Sequence, residues 1–153
     1  AMPSTVYGIV KAYSTRVGEG PYPTEIFGNE AEDLRNRGKE FGAVTGRPRR
    51  VGWLDLPALK YACLKGGITD LIITKFDILD GMETVPVATS YDKEPMSGRD
   101  FFTAKANYTE VPGWEDSRDV SQLQPFLKTV EDHVGIKVRY VSCGVNKEDL
   151  IKL

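Results

Sequence analysis

Apolar positions along the chain fall into short runs that alternate between two spacings. Residues 6–13 (VYGIVKAY) are β-branched and aromatic, which predicts a strand, and the glycines and prolines of STRVGEGPYPTE predict a loop after it. NEAEDLRNRGKEFG is polar with Leu34 as its main apolar contact, which reads as a short surface helix capped by Asn29 and stopped at Gly38. LDLPALKYACLKGG spaces Leu59, Ala62 and Cys63 at helical intervals, with Asp55 as cap, Pro57 in the first turn and Gly66-Gly67 at the end. Leu71, Ile72 and Ile73 follow in unbroken succession, the pattern of a strand covered on both faces. VPVATSY and ANYTEV predict two more strands, and Pro86 with the turn DKEPMSGRD argues for an edge position for that pair. Ser121 and Gln124 form a capping-box pattern before Leu127, Val130 and Val134, with Gly135 closing that helix. IKVRYVS predicts a final strand, followed by a loop at CGVNKED. Alternation of strand and helix predicts an α/β fold, a mixed sheet flanked by helices.

Composition narrows the classes. The 153 residues, 41% of them apolar, are enough for one core, and one domain over 1–153 is expected. Twenty Lys and Arg against 22 Asp and Glu give a net charge of −2, so no overall positive field favours nucleic acid or an anionic membrane. Cys63 and Cys143 lie far apart without neighbouring ligand residues, which excludes metal-ligand spacing; buried reduced thiols fit better than a disulfide. Neither a signal-peptide core nor an apolar run of bilayer length is present, and a soluble, cytoplasmic protein is expected.

The densest chemistry is FGAVTGRPRRVGWLD, with three arginines in four positions. Three readings stand: a solvated basic loop, a nucleic-acid patch, or an anion cradle. The cradle reading rests on a helix starting directly after the arginines, whose free N–H groups would join bidentate guanidiniums, the Thr45 hydroxyl and the close backbone at Gly46.

Taken with KAYSTRVGEGPYPTE, ITKFDILDG, YTEVPGW and VSCG in this order, the loop resembles the adenylosuccinate synthetase family over essentially the whole chain. The resemblance implies part of a P-loop-NTPase-like fold and a GTP-dependent ligase that joins IMP to L-aspartate. In it Val17 lines the IMP ribose. Thr45, Gly46 and Arg47 close on aspartate, and Arg49 is shared between aspartate and GTP. Lys75 and Asp77 read guanine, with Ser142 and Gly144 as the second guanine contact. Magnesium and the catalytic groups are implied for an N-terminal GDEGKGK-type segment that this chain does not show, so no catalytic residue and no metal ligand is assigned here. The 153 residues alone are therefore expected not to turn over. Relatives are implied to be homodimers.

Val44 stands where many relatives carry threonine, and Val145 where proline is common. Trp53 and Trp114 read as packing residues, and His133 as a surface residue. A stand-alone guanine-nucleotide or dicarboxylate binding module remains the alternative to a ligase. A relative acting on a different purine monophosphate is a third reading.

Overall fold

The computed structural model describes residues 1–153. Eight strands and three helices alternate along the chain. They are β1 (Tyr7–Lys11), β2 (Tyr13–Arg16), α1 (Gly28–Gly38), β3 (Arg50–Asp55), α2 (Leu56–Gly66), β4 (Asp70–Thr74), β5 (Thr84–Tyr91), β6 (Ala106–Pro112), α3 (Gln124–Val134), β7 (Lys137–Ser142) and β8 (Leu150–Lys152). The strands form two four-stranded sheets, ordered β1-β4-β7-β8 and β2-β3-β5-β6, where one mixed sheet was expected. Both sheets are mixed. In the first, β1, β4 and β7 run parallel and β8 antiparallel; in the second, only β3 and β5 pair in parallel.

The first strand run divides between the sheets. Ala12 is buried at the break and donates its N–H to the Thr74 carbonyl at 2.9 Å, and the chain then enters the second sheet as β2. Residues Ser14 to Arg16, expected as loop, are therefore strand, because β3 supplies a partner that local composition does not reveal.

A second correction concerns the arginines. A six-residue strand, β3, begins at the third of them, Arg50, and separates the loop from α2, so no helix begins at the arginine loop. The free amides of α2 are met by Asp55, whose Oδ1 accepts from Ala58 N–H at 3.0 Å. Pro57 sits in the first turn as expected; Leu56, Leu59 and Cys63 form the inward face, and Ala62 points outward. Helix α1 begins at Gly28 without a side-chain cap, so Asn29 does not cap it. The Ser121–Gln124 box is likewise absent: Asp119 caps a 3-10 turn over Val120–Leu123 that leads into α3.

Strand β5 is interior, between β3 and β6, and only β6 is an edge. Pro86 is tolerated because the β3 ladder touches β5 only at Val87 and Ala88. Leu71 and Ile73 are fully buried while Ile72 is partly accessible, and on neighbouring β1 Ile9 is 73% exposed, so the first sheet is covered more completely on one face. The final loop contains a 3-10 turn (Lys147–Asp149) and the short strand β8, which the sequence reading omits.

One apolar cluster joins both sheets through Tyr13, Val51, Leu71, Val85, Val87, Val130 and Val141. Trp114 is buried within it beside Phe76 and Phe126, and Trp53 is buried as well, so both tryptophans pack. Cys63 and Cys143 are free, buried thiols whose pKa burial pushes up. His133 is exposed on α3. No helix is long and apolar enough to cross a membrane.

Candidate functional site

Parallel strands end together, and ligands of open α/β sheets gather outside their carboxyl ends. Here those ends are Lys11 on β1, Thr74 on β4 and Ser142 on β7. Immediately after β4, Lys75 takes a left-handed backbone (φ 68°) that starts a 3-10 turn over Phe76–Leu79. Such a conformation is costly for lysine and persists only where the surroundings fix it. Buried Phe76 anchors one side, and the Lys75 Nζ donates to the Gly38 carbonyl at 3.1 Å on the other. Gly38 itself admits no side chain, because a Cβ there would meet the Tyr13 hydroxyl.

The turn leaves Asp77 half-buried. It lies in the 3-10 turn that follows β4, directly after buried Phe76. Asp80, three residues on, is held as structure, accepting from Ser117 N–H at 3.0 Å. At the end of β7, the Ser142 hydroxyl donates to the Gly144 carbonyl at 3.0 Å. Buried Asp149 shapes that loop: its Oδ2 accepts from Asn146 N–H at 2.9 Å and its Oδ1 from Arg118 at 3.1 Å. Its carboxylate fills the space that a Cβ on Gly144 would need.

The three arginines do three different things. Arg50 makes a bidentate pair with Glu25 (2.7 and 3.0 Å) and donates to the carbonyls of Gly18 and Gly20 (2.7 and 2.8 Å). It therefore pins the loop that carries Val17, which is 70% exposed. Arg49 lies at the base of a loop closed by the Phe41–Pro48 bridge and by Gly42 N–H to the Arg47 carbonyl at 2.8 Å. Arg47 lies near the exposed tip, where its N–H reaches the Thr45 hydroxyl at 3.3 Å, and Gly46 supplies the positive φ (67°) of that turn. Val44 is 97% exposed there.

Arg49 and Lys75, expected to act together, are joined by a residue the sequence reading missed. Glu40 is 0% exposed; its Oε2 accepts from Arg49 at 2.7 Å, its Oε1 from the Tyr13 hydroxyl at 2.7 Å, and the Lys11 Nζ lies 3.0 Å from both oxygens. The Lys75 Nζ stands 3.8 Å from Oε1. Burial pushes the Glu40 carboxyl up, but the bonds from Tyr13, Arg49 and Lys11 outweigh it and hold the pKa below the ordinary value. Burial and the hydrogen bond to Glu40 push the Tyr13 phenol well up. Nothing in the spacing of NEAEDLRNRGKEFG separates Glu40 from its exposed acidic neighbours. Lys11, a charge inside the apolar run VYGIVKAY, was the available signal.

A carboxyl whose folded pKa is lowered stabilises the fold fully above its unfolded pKa, and that stability is lost as pH falls through the folded value. Denaturant midpoints measured against pH should therefore decline from about the ordinary glutamate value of 4.5 downward. Glu40→Gln should flatten the decline in that window; an unchanged slope would remove Glu40 as its source.

The cluster carries three cations on one carboxylate, a donor set suited to anions rather than to magnesium. No three His, Cys, Asp or Glu side chains gather as metal ligands.

These features define an α/β protein with a cluster of cationic side chains around one buried carboxylate at the carboxyl ends of its parallel strands. The adenylosuccinate synthetase family profile matches residues 2–151, and the chain belongs to that family. It is 51% identical over 151 residues to the adenylosuccinate synthetase of Petrotoga mobilis, covering 95% of this chain and 36% of that protein. It is 47% identical to that of Thermus thermophilus, covering 94% of this chain and 37% of that one. A fully ligated adenylosuccinate synthetase from Plasmodium falciparum superposes with a TM-score of 0.88 at 27% identity, over 98% of this chain and 40% of that one. The chain thus spans well under half the length of these relatives.

Proposed function

We propose that this chain supplies the aspartate- and guanine-binding loops of a GTP-dependent carbon–nitrogen ligase that joins IMP and L-aspartate into adenylosuccinate. The observation that carries the reading is the meeting of Arg49 and Lys75 on Glu40, which brings the arginine loop and the turn after β4 together at the carboxyl ends of the first sheet's parallel strands.

In this reading Arg47 and Arg49 hold the aspartate carboxylates, with Thr45 and the Gly46 backbone closing on them, and Val17 lies against the IMP ribose. Arg49 also faces the GTP side. Bidentate guanidinium pairing fixes the direction of the amino acid as well as its charge, a contribution of orientation and electrostatics. Lys75 lies along the guanine face through its stem. Asp77 accepts from the ring N–H and the amino group of guanine, a donor pair adenine lacks, and Ser142 and Gly144 complete the contact. Magnesium, GTP's usual companion in phosphoryl transfer, finds no ligand set among these residues, so no step is assigned to it here. The complete enzyme is a cytoplasmic homodimer in this reading.

Calorimetric titration of the chain with GTP and with ATP tests the site directly. GTP is expected to bind at least about tenfold tighter, the equivalent of roughly one charge-assisted hydrogen bond. Equal affinities, or none for either nucleotide, would overturn the assignment of the turn after β4.

A further inference from the structure

Glu40 has no part in the chemistry above, yet with Asp149 it is one of two carboxylates buried in the protein. Its neighbours come from separate segments: Lys11 from the end of β1, Tyr13 from the start of β2, Arg49 from the base of the arginine loop and Lys75 from the end of β4. The backbone reinforces one of these links, since Arg49 N–H donates to the Glu40 carbonyl at 3.0 Å. Arg49 and Lys75 have no other acidic side chain within ion-pair distance. Long cationic side chains keep one direction only when something fixes their ends, and a buried carboxylate does so strongly because water does not compete for it. Removing it would leave three cations and the Tyr13 hydroxyl without their shared partner.

We propose that Glu40 is a positioning residue that couples the arginine loop to the guanine-reading turn. One carboxylate accepts from Arg49 at 2.7 Å and attracts the Lys75 amine from 3.8 Å, which the Gly38 carbonyl also holds at 3.1 Å, so a disturbance at one loop is transmitted to the other. What the two loops bind rests on the proposed function; the coupling between them rests on the geometry alone.

The test is a substitution cycle read by amide NMR on the 153-residue chain. Arg49→Met is expected to shift the amide signals of Phe76–Leu79 in the parent, and that shift should shrink by about threefold or more in a Glu40→Gln background. Glu40→Asp, which keeps the charge on a shorter stem, should restore part of it. A residue needed only for folding would not interrupt the transmission selectively. Equal propagation with and without the Glu40 carboxylate, or none in the parent, would overturn the proposal.

Should Glu40→Gln fail to fold, Lys75→Met replaces an amine that is 34% exposed, and the Arg49 Nε–H signal becomes the readout. Movement of that signal supports the coupling, and a fixed signal overturns it. In a separate titration, Glu40→Gln should weaken GTP binding roughly tenfold. A parent chain that binds no GTP defeats the ligase reading, while the NMR cycle still decides the coupling.

Discussion

Replacing Asp77 with asparagine should abolish the preference for GTP over ATP and lower GTP affinity on the order of 100-fold, about 3 kcal/mol of charge-assisted hydrogen bonding. The substitution keeps size and shape but turns one acceptor into a donor. That donor would face an N–H group of guanine, so one contact is kept and the other becomes a clash of like partners. Because Asp77 lies half-buried on a turn whose neighbours Phe76 and Leu79 are fully buried, its backbone should stay in place. ATP binding should change little, since adenine offers no donor pair to the carboxylate. Calorimetry with both nucleotides, beside a thermal melt to show that the fold survives, checks the result. An unchanged GTP-to-ATP ratio would remove Asp77 from the base-reading role.

The largest stability effect is expected at the next residue back. Phe76→Ala should cost ~3–5 kcal/mol, the range for a fully buried phenylalanine that leaves a cavity. Phe76 meets the Trp114 ring at 5.3 Å and the Phe126 ring at 5.4 Å, both edge-on, and those two rings meet each other at 5.4 Å. Its carbonyl also accepts the buried Trp114 Nε1–H at 3.0 Å. Truncation would loosen a three-ring contact as well as remove apolar area. For a chain of this size the loss corresponds to a melting temperature lower by roughly 10 °C. The same change frees one side of the left-handed Lys75 backbone, so nucleotide affinity should fall together with stability. A melt within a degree or two of the parent would show that the cavity closes by collapse.

Elements with strong local signals were legible. Helix α2 showed its cap, its proline and its terminal glycines in the letters, and β4 showed its apolar run. The division of VYGIVKAY at Ala12 was not legible, because a strand that changes sheets keeps the same residue preferences on both sides of the break. GRPRRVGWLD misled for a related reason. The cap and proline of α2 are so clear that they conceal the short strand in front of them, and burial of Val51, Trp53 and Leu54 between neighbours decides the matter only in three dimensions. At the site, the basic loop stood out through composition, and the turn after β4 through the family resemblance of ITKFDILDG. Glu40 did not, since what distinguishes it is the meeting of three stretches of chain, around Lys11–Tyr13, Arg49 and Lys75, and that is a property of topology.

The arginine cluster leaves less freedom for redesign than its letters imply. Arg50 commits four hydrogen bonds to Glu25 and to the backbone of a neighbouring loop, and Arg49 is tied to Glu40. Of the triplet, Arg47 alone sits on the tip beyond the closing bridge, so evolutionary retuning of what this loop meets would be concentrated at that one codon and its flanking turn.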